Sequence, residues 1–449
     1  MKRKGPLISA AILIVAALWW MVTVPASVAR TCRDCAIILV SIDTLRSDRL
    51  GSYGSALELT PNIDRFSRDS AVFRTAIAQA PSTAASHGSI FTSLIPSAHG
   101  GSVSKKAPLS QAHPVMAEIL SEHGFRTASY NGGGQISSTF GFNRGFEIYE
   151  SYSEGDYEKE YLADRSKPAL KWLEAMTGRP SFLFLHSYEV HHPYAPAEEF
   201  CDDAIRSYAG PLPRSVDAKI LRAINKTRMP ATDGDRAYVE ALYNAEVRSV
   251  DKAFGEFIDA LKGMGRYENS LIILTSDHGE EFGEHKAIGW HSHTLYDELL
   301  KVPLIIKFPE GQFAGKVVTQ QVRSIDILPT VLEHFHIPSN KHFQGVSVLG
   351  LLRGESLSEG FAVSQKDVDR PTLPAAIRNS DWKLNMGRLY DMVNDPGERR
   401  NLAKQRPEIF NAFKAMLDSI VSSSASDGNE EVQIDEGAVE QLRTLGYLD

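Results

Sequence analysis

The sequence predicts an α/β fold built on a mostly parallel β-sheet. Short apolar runs of strand length recur along most of the chain, and segments with helical spacing of apolar residues separate them. The run at residues 36–42 shows no alternation of apolar and polar residues, which is typical of a strand buried on both faces. Because strands that alternate with helices are usually joined as parallel crossovers, we expect a mostly parallel sheet.

The predicted elements of the large domain, residues 36–338, follow one another in chain order. After the first strand, a helix is predicted at residues 62–70, where Pro61 suits the first turn. Gly124 closes the next predicted helix, at residues 115–123. Further strands are predicted at residues 127–130, 182–185, 271–276 and 304–308, and longer helices at residues 164–176 and 237–261.

The pattern changes after Pro338. Short strand-like segments and a hairpin pattern precede a helical pattern at residues 407–421. They predict a small C-terminal subdomain, residues 339–421, made of an antiparallel sheet and a helix. The polar residues 422–436 are interpreted as a linker, and residues 437–449 are expected to dock on the body of the protein.

The N-terminal 30 residues differ in composition from the rest. Three basic residues at positions 2–4 precede an apolar run at residues 7–24, and Ser27 and Ala29 permit cleavage after Ala29. Residues 1–30 are therefore expected to be a signal peptide or an N-terminal membrane anchor, and both interpretations stay open. The positive flank predicts that the rest of the chain lies outside the cytoplasm, in the periplasm or another extracytoplasmic space.

The net charge narrows the possible partners, and the cysteines suggest a disulfide. The formal net charge is −8 and no basic block occurs, so nucleic acid is not expected as a partner. Cys32 and Cys35 form a C-x-x-C pair beside the leader, which could close a small disulfide ring in an exported chain.

At residues 80–94, a stretch of small and polar residues is followed by a short apolar segment. The pattern predicts a helix that begins near Ala84 or Ala85, with Thr83 just outside it. Unpaired N–H groups and the positive end of the helix dipole would then face Thr83, which suits an anion such as phosphate or sulfate. Taken alone, the loop favours a simpler interpretation, in which Thr83 is only an N-cap residue.

Polar residues follow the predicted strands. Asp43 comes directly after the strand at residues 36–42, and Asp277 and His278 follow the strand at residues 271–276. Because the carboxyl ends of parallel strands meet at one edge of a sheet, we expect these side chains to lie together.

Histidines and glutamates form further clusters. His191 and His192 are adjacent, and His291 and His293 are separated by one residue. Each histidine by itself is more simply explained as structural, although two clusters are suggestive. Acidic and imidazole side chains also follow His278, and they are expected to be solvated loop residues: Glu280, Glu281, Glu284 and His285.

Together these segments resemble the sulfatase family of the alkaline phosphatase superfamily, over nearly the whole chain after the leader. The order of many short motifs carries the resemblance. They are, in order, IDTLRSDRLG at residues 42–51, TPNID at 60–64, TAASH at 83–87, EVHHPY at 189–194, TSDHGE at 275–280, HTLYDE at 293–298, VPL at 302–304, DILPT at 326–330, LYD at 389–391, and DPGE with NL at 395–402.

The resemblance implies an alkaline-phosphatase-like three-layer sandwich with residues 36–338 as the catalytic domain. It implies that Asp43, Asp277 and His278 hold a divalent metal ion, and that Thr83 is both nucleophile and metal ligand. A hydroxyl activated by a metal ion beside a helix N-terminus is suited to attack phosphorus or sulfur.

The resemblance also implies that His191, and His291 or His293, contact the ester oxygens or the leaving group. An imidazole there could protonate the leaving oxygen. One metal ion beside a histidine cluster is expected, since no D-x-x-x-H pair clearly completes a second zinc site.

The chain departs from the family pattern at several positions. Sulfatases carry Cys or Ser, converted to formylglycine, in the motif C/S-x-P-S-R, whereas Thr83 stands here and His87 replaces the arginine. The family's second carboxylate after Asp43 is replaced by Thr44, and His278 stands where the family often has Asn. Since imidazole favours zinc or manganese over calcium or magnesium, we expect zinc or manganese and keep the other two as alternatives.

The function predicted from these features is an exported, metal-dependent hydrolase of a sulfuric or phosphoric ester, acting through a covalent Thr83 intermediate. Threonine favours the phosphoric ester, and the substrate could be a small molecule, a glycan or a lipid head group. One alternative is a membrane-anchored transferase of phospho-head-groups, which usually has several membrane helices. The other is an inactive binding protein on the same fold, which the retained Asp43, Thr83, Asp277 and His278 disfavour.

Overall fold

The computed structural model describes residues 34–151, 161–358, 360–367 and 374–424. The predicted leader, Cys32, most of the predicted linker and the predicted C-terminal segment lie outside the described residues. In the part of the chain that is described, no helix is long and apolar enough to span a membrane. Cys35 is disulfide-bonded, and Cys201 is a free, buried cysteine.

An eight-stranded sheet organises the large domain. β1 pairs in parallel with β6 and β7, and β4 pairs in parallel with β5 and β6. β11 is the exception, since it runs antiparallel to its neighbours β2 and β7. The parallel pairings outnumber the antiparallel ones, which confirms the prediction of a mostly parallel sheet. From edge to edge, the strands are β12 (Val317–Val318), β2 (Ala71–Phe73), β11 (Leu304–Lys307), β7 (Ser270–Thr275), β1 (Ala36–Ile42), β6 (Ser181–Ser187), β4 (Arg126–Tyr130) and β5 (Ile148–Glu150).

Three smaller sheets accompany it. The C-terminal one is a four-stranded antiparallel sheet, which confirms the expected small sheet after Pro338. Its strands are β14 (Ala362–Gln365), β15 (Ala375–Arg378), β16 (Trp382–Asn385) and β17 (Arg388–Asp391). The others are a sheet of β10 (Lys301–Val302), β3 (Ala76–Ile77) and β13 (Val322–Arg323), and a pair of β8 (Glu281–Phe282) and β9 (Ile288–Trp290).

Helices cover both faces of the large sheet. Ile38 and Val40 of β1 belong to one apolar cluster, whereas Ile37 and Leu39 belong to another, because successive strand residues point to opposite faces. The first cluster packs against the helices Pro61–Arg68, Leu162–Ala175 and Asp233–Gly263, and the second against Thr83–Thr92, Met116–Glu122 and Ile327–His334. The expected three-layer sandwich is therefore confirmed. The remaining helices are Pro96–His99, Asp203–Arg206, Ala218–Asn225, Asp297–Leu300, Leu349–Arg353 and Pro407–Ser423.

Local capping explains where the longest helix begins. The Thr232 hydroxyl accepts from Asp235 N, and the Asp235 carboxylate accepts from Thr232 N. This capping box satisfies donors of the first turn. The helix Asp233–Gly263 therefore starts before residue 237, where the apolar periodicity begins.

A buried charge network connects the small sheet with the large domain. Lys383 Nζ in β16 donates to Asp297 Oδ1 at 2.8 Å and to Glu398 Oε2 at 2.9 Å. Arg378 in β15 also pairs with Asp297. Although burial opposes it, these two cations lower the pKa of Asp297, so the carboxylate stays charged in the folded state.

Replacing Lys383 by methionine is expected to lower the free energy of unfolding by about 3–5 kcal/mol, because the buried Glu398 and the partly buried Asp297 lose their shared partner. Urea denaturation measures the change. Lys414→Met is the matched control, since Lys414 pairs with Asp418 at 2.6 Å on the surface and should contribute less than about 1 kcal/mol. Equal losses in the two variants would contradict the importance of the network.

Candidate active site

Two adjacent parallel strands bring the predicted acidic ligands together. β1 ends at Ile42 and β7 ends at Thr275, and their register places Ser41 opposite Thr275. Asp43 follows β1 directly, Asp277 and His278 follow β7 after one serine, and all three are fully buried. One ligand atom of each lies within 4.8 Å of the others, so the three residues form a possible metal-binding triad.

The free atoms of this triad fit a divalent cation. Asp43 Oδ1 and Asp277 Oδ2 are buried and have no hydrogen-bond partner among the described residues. His278 Nδ1 donates to the carbonyl of Gly279 at 3.0 Å, which leaves the lone pair on Nε2, 3.4 Å from Asp277 Oδ2. Burying unpaired carboxylate oxygens is unfavourable, and a cation between them would remove that cost.

The two carboxyl groups have opposite pKa shifts. Burial, followed by the neighbouring Asp277, raises the pKa of Asp43 well above its usual range. Burial also acts to raise the pKa of Asp277, but His278, His87 and His186 outweigh it and lower that pKa. The mutual repulsion of two buried carboxylates is the strain that a bound cation relieves.

Thr83 lies at the first position of the helix Thr83–Thr92 and faces this triad. Its Oγ1 donates to Asp43 Oδ2 at 3.1 Å and lies 3.5 Å from His278 Nε2. The expectation that Thr83 stands outside the helix is wrong by one residue. Ser82 is the N-cap with an extended backbone, and its carbonyl accepts the first helical hydrogen bond, from Ser86 N.

The beginning of this helix is partly occupied by a side chain. Ala84 N donates to Gln135 Oε1 at 2.9 Å, and Gln135 is buried on the short turn Gly134–Ile136. One of the N–H groups that were expected to be unpaired, that of Ala84, therefore has a side-chain acceptor. A glutamine in a glycine-rich loop gives no sequence signal for this contact, because the two segments meet only in the folded chain.

Two buried histidines lie behind the triad. His87 Nδ1 donates to the Thr83 carbonyl at 2.9 Å, so its Nε2 accepts from Ser41 Oγ at 2.9 Å. His186 Nδ1 accepts from Gly132 N, and its Nε2 lies 3.6 Å from Asp43 Oδ2. Burial lowers the pKa of both imidazoles to about 4. The uncharged ring of His87 thus stands where the family motif has arginine.

The predicted histidine cluster forms around His291. Its ring centroid lies 4.6 Å from that of His278 and 4.9 Å from that of His191. Burial, and then His192 and His291, lower the pKa of His191 well below its usual range. His293 is held otherwise, since its Nε2 contacts Glu281 Oε2 at 2.8 Å and its Nδ1 contacts the His291 carbonyl at 3.2 Å.

The matching family model decides which family this site belongs to. A protein-family model named Sulfatase matches residues 36–337, about two thirds of the chain. The chain belongs to the sulfatase family. The resemblance stated from the motifs is thereby confirmed, and the chain is a sulfatase-like ester hydrolase.

Individual sulfatases and solved structures agree with this family. The chain is 23% identical to the delta 4,5-hexuronate-2-O-sulfatase of Bacteroides thetaiotaomicron over 87% of this chain and 89% of that protein. A phosphonate monoester hydrolase of Agrobacterium radiobacter has a TM-score of 0.72 at 20% identity, covering 87% of this chain and 96% of that one. The protein BT4656, solved with its substrate D-glucosamine-2-N,6-O-disulfate, has a TM-score of 0.70 at 19% identity, covering 88% and 99%.

The structure corrects one expectation about this sulfatase-family site. Glu280 and Glu281 are fully buried rather than solvated, because each accepts hydrogen bonds from neighbours on the segment that follows β7. Glu280 Oε1 accepts from His291 Nδ1, and Glu281 Oε2 from His293 Nε2. Their spacing of 11 and 12 residues from the histidines gave no local signal of these contacts.

Proposed function

We propose that this chain is a metal-dependent hydrolase that cleaves a phosphoric ester in preference to a sulfuric ester, with Thr83 as the nucleophile. The observation that carries the proposal is the position of Thr83 Oγ1, 3.1 Å from Asp43 Oδ2 at the start of a helix and beside the Asp43–Asp277–His278 triad. A nucleophilic hydroxyl beside a basic group and a cation site is the arrangement that covalent ester hydrolysis requires.

Asp43, Asp277, His278 and the Thr83 hydroxyl would hold one divalent ion. When bound, that ion would supply positive charge for the ester oxygens and favour ionisation of a nearby hydroxyl. The imidazole ligand favours zinc or manganese, because calcium and magnesium prefer oxygen ligands.

The residues of the chain would then divide the reaction into two steps. Thr83 Oγ1 passes its proton to Asp43 and forms a bond to phosphorus as the bond to the leaving oxygen breaks, and the leaving oxygen takes a proton from an imidazolium of the His191 and His291 cluster. Water then attacks phosphorus and gives a proton back to the imidazole, while Thr83 leaves and recovers its proton from Asp43. His293, whose ring nitrogens contact Glu281 and a carbonyl, is the less suited of the predicted histidines.

The threonine ester favours phosphorus over sulfur. A formylglycine hydrate has a second hydroxyl, which lets a sulfated enzyme lose sulfate by elimination. A threonine ester has no such route, so water must attack phosphorus or sulfur directly. Phosphoric esters are the better precedented substrates for that step in this superfamily.

The names of the relatives and the leader in the sequence support a substrate class and a location. The names of the relatives described above refer to sulfated sugars and phosphonate monoesters as substrates. These names support a small-molecule or glycan ester as the substrate of this chain. The basic and apolar leader in the sequence supports a periplasmic or other extracytoplasmic location.

A parallel assay tests the proposed function. The purified protein is given 4-nitrophenyl sulfate, 4-nitrophenyl phosphate and bis(4-nitrophenyl) phosphate, each with calcium, manganese or zinc. We expect one of the phosphoric esters to be hydrolysed at least about tenfold faster than the sulfate, a difference of roughly 1.4 kcal/mol in activation free energy. A faster sulfate reaction, or a formylglycine detected by mass spectrometry, would refute the preference.

A further inference from the structure

A buried chain of hydrogen bonds holds His291. Tyr194 OH donates to Glu280 Oε2 at 2.8 Å, and His291 Nδ1 contacts Glu280 Oε1 at 3.0 Å. Tyr194 and Glu280 are fully buried, and His291 is 4% exposed. The glutamate thus connects a tyrosine of the EVHHPY segment with a histidine whose ring packs beside that of His278.

This arrangement differs from an ordinary structural ion pair. Among the ion pairs of the described residues, the Glu280 carboxylate pairs with His291 and with no lysine or arginine. A carboxylate buried without a permanent cation is unfavourable unless its oxygens are hydrogen-bonded. Here each oxygen has one donor, and one of these donors is a ring at the candidate site.

The contact also fixes which ring nitrogen Glu280 holds. A carboxylate accepts, so His291 Nδ1 is the donor to Glu280 and Nε2 is the nitrogen on the other side of the ring. The ring lies 4.6 Å from His278 and 4.9 Å from His191 between centroids, and His278 Nε2 itself lies 3.5 Å from Thr83 Oγ1.

We propose that Glu280, itself held by Tyr194, is a positioning residue that orients His291 so that its Nε2 protonates the leaving oxygen. The inference rests on the proposed function and adds to it the choice of proton donor. In this step His291 acts as an imidazolium, with protons on both ring nitrogens. Thr83 Oγ1 passes its proton to Asp43 Oδ2 as it bonds to phosphorus, and the Nε2 proton of His291 passes to the leaving oxygen, which keeps the electron pair of its broken bond to phosphorus. Nε2 then takes a proton from the water that attacks the Thr83 ester, and Asp43 returns the other proton to Thr83 Oγ1, which restores the starting state.

The expected signature is a dependence on the leaving group. Protonation matters little for 4-nitrophenolate and more for the more basic phenolate, so Glu280→Gln is assayed with bis(4-nitrophenyl) phosphate and diphenyl phosphate. We expect kcat to fall by roughly 10²-fold with diphenyl phosphate and by less than about threefold with the nitrophenyl ester. His291→Gln should give the same split, and the double variant should lose no more than His291→Gln alone.

The neighbouring pair of Glu281 and His293 supplies the matched control. Glu281 is also fully buried and contacts a histidine ring at 2.8 Å. Glu281→Gln should therefore change both esters by the same factor. Tyr194→Phe removes the hydroxyl donor to Glu280. It should also lose more kcat with diphenyl phosphate than with the nitrophenyl ester, although by a smaller factor than Glu280→Gln. This variant tests the inference if Glu280→Gln fails to fold.

The outcomes separate this inference from the proposed function. Suppose that the wild-type protein hydrolyses both esters. Equal losses with the two esters in Glu280→Gln, or unequal losses in Glu281→Gln instead, would then overturn the role of Glu280 and leave the proposed function standing. A wild-type protein that hydrolyses neither ester would overturn the proposed function and this inference together. A split confined to Glu280, His291 and Tyr194 would support both.

Discussion

Thr83→Ala is expected to reduce ester turnover by roughly 10⁴- to 10⁶-fold, the loss seen when a nucleophile is removed from a covalent mechanism. The physical reason is that Thr83 Oγ1 is the hydroxyl that faces Asp43 and His278 at the start of its helix. Metal content should stay near wild type, because the variant loses only the neutral hydroxyl of the proposed ligand set and keeps Asp43, Asp277 and His278. Steady-state kinetics and elemental analysis of the purified variant measure the two quantities.

Two further variants sharpen this prediction. Thr83→Ser keeps the hydroxyl and should retain part of the activity. Thr92→Ala is the matched control, since Thr92 is a buried threonine of the same helix whose hydroxyl donates to the Gly88 carbonyl at 2.7 Å. It should leave kcat near the wild-type value. Near-normal rates in Thr83→Ala would remove Thr83 from the mechanism.

Asp277→Ala is expected to abolish both metal binding and activity while the chain stays folded. Asp277 supplies a buried oxygen without a hydrogen-bond partner among the described residues, and it lies in contact range of His278 and His87. Asp277 is one of two carboxylates in the proposed ligand set, and its loss should weaken metal binding by at least about 10²-fold, no less than the loss of a residue that only supports a ligand. Titration of the metal-stripped protein with zinc and manganese, followed by calorimetry, measures the affinity.

Asp251→Asn provides the comparison for this variant. Asp251 is also a buried carboxylate, but it accepts from the backbone N–H groups of Asn62 and Ile63 at the start of another helix. Its replacement should lower stability and leave the metal affinity unchanged. Full activity of metal-stripped Asp277→Ala, or an equal loss of metal in Asp251→Asn, would contradict the assignment of the site.

Much of the fold followed from local patterns in the sequence. The run at residues 36–42 was recognisable as a central strand because it is apolar throughout, and the structure pairs it on both sides. The antiparallel direction of β11 had no such signal, since a buried apolar strand has the same composition in either direction.

The sequence by itself determined that Asp43, Asp277 and His278 would share one edge of the sheet. They follow apolar strands directly, and parallel neighbours present their carboxyl ends on the same side, so this placement needed no knowledge of distant contacts. Thr83 was likewise marked by its position before a helical segment, although the cap fell on Ser82.

Only the tertiary structure decided which of the remaining residues complete the site. His291 and His293 stand two positions apart and have the same chemistry, yet one ring lies beside His278 and the other is held by Glu281. The burial of Glu280 and the approach of Gln135 to Ala84 also arise from segments that meet after folding. Hydrogen bonds between such segments depend on side-chain directions set by packing, and local periodicity carries no information about those directions.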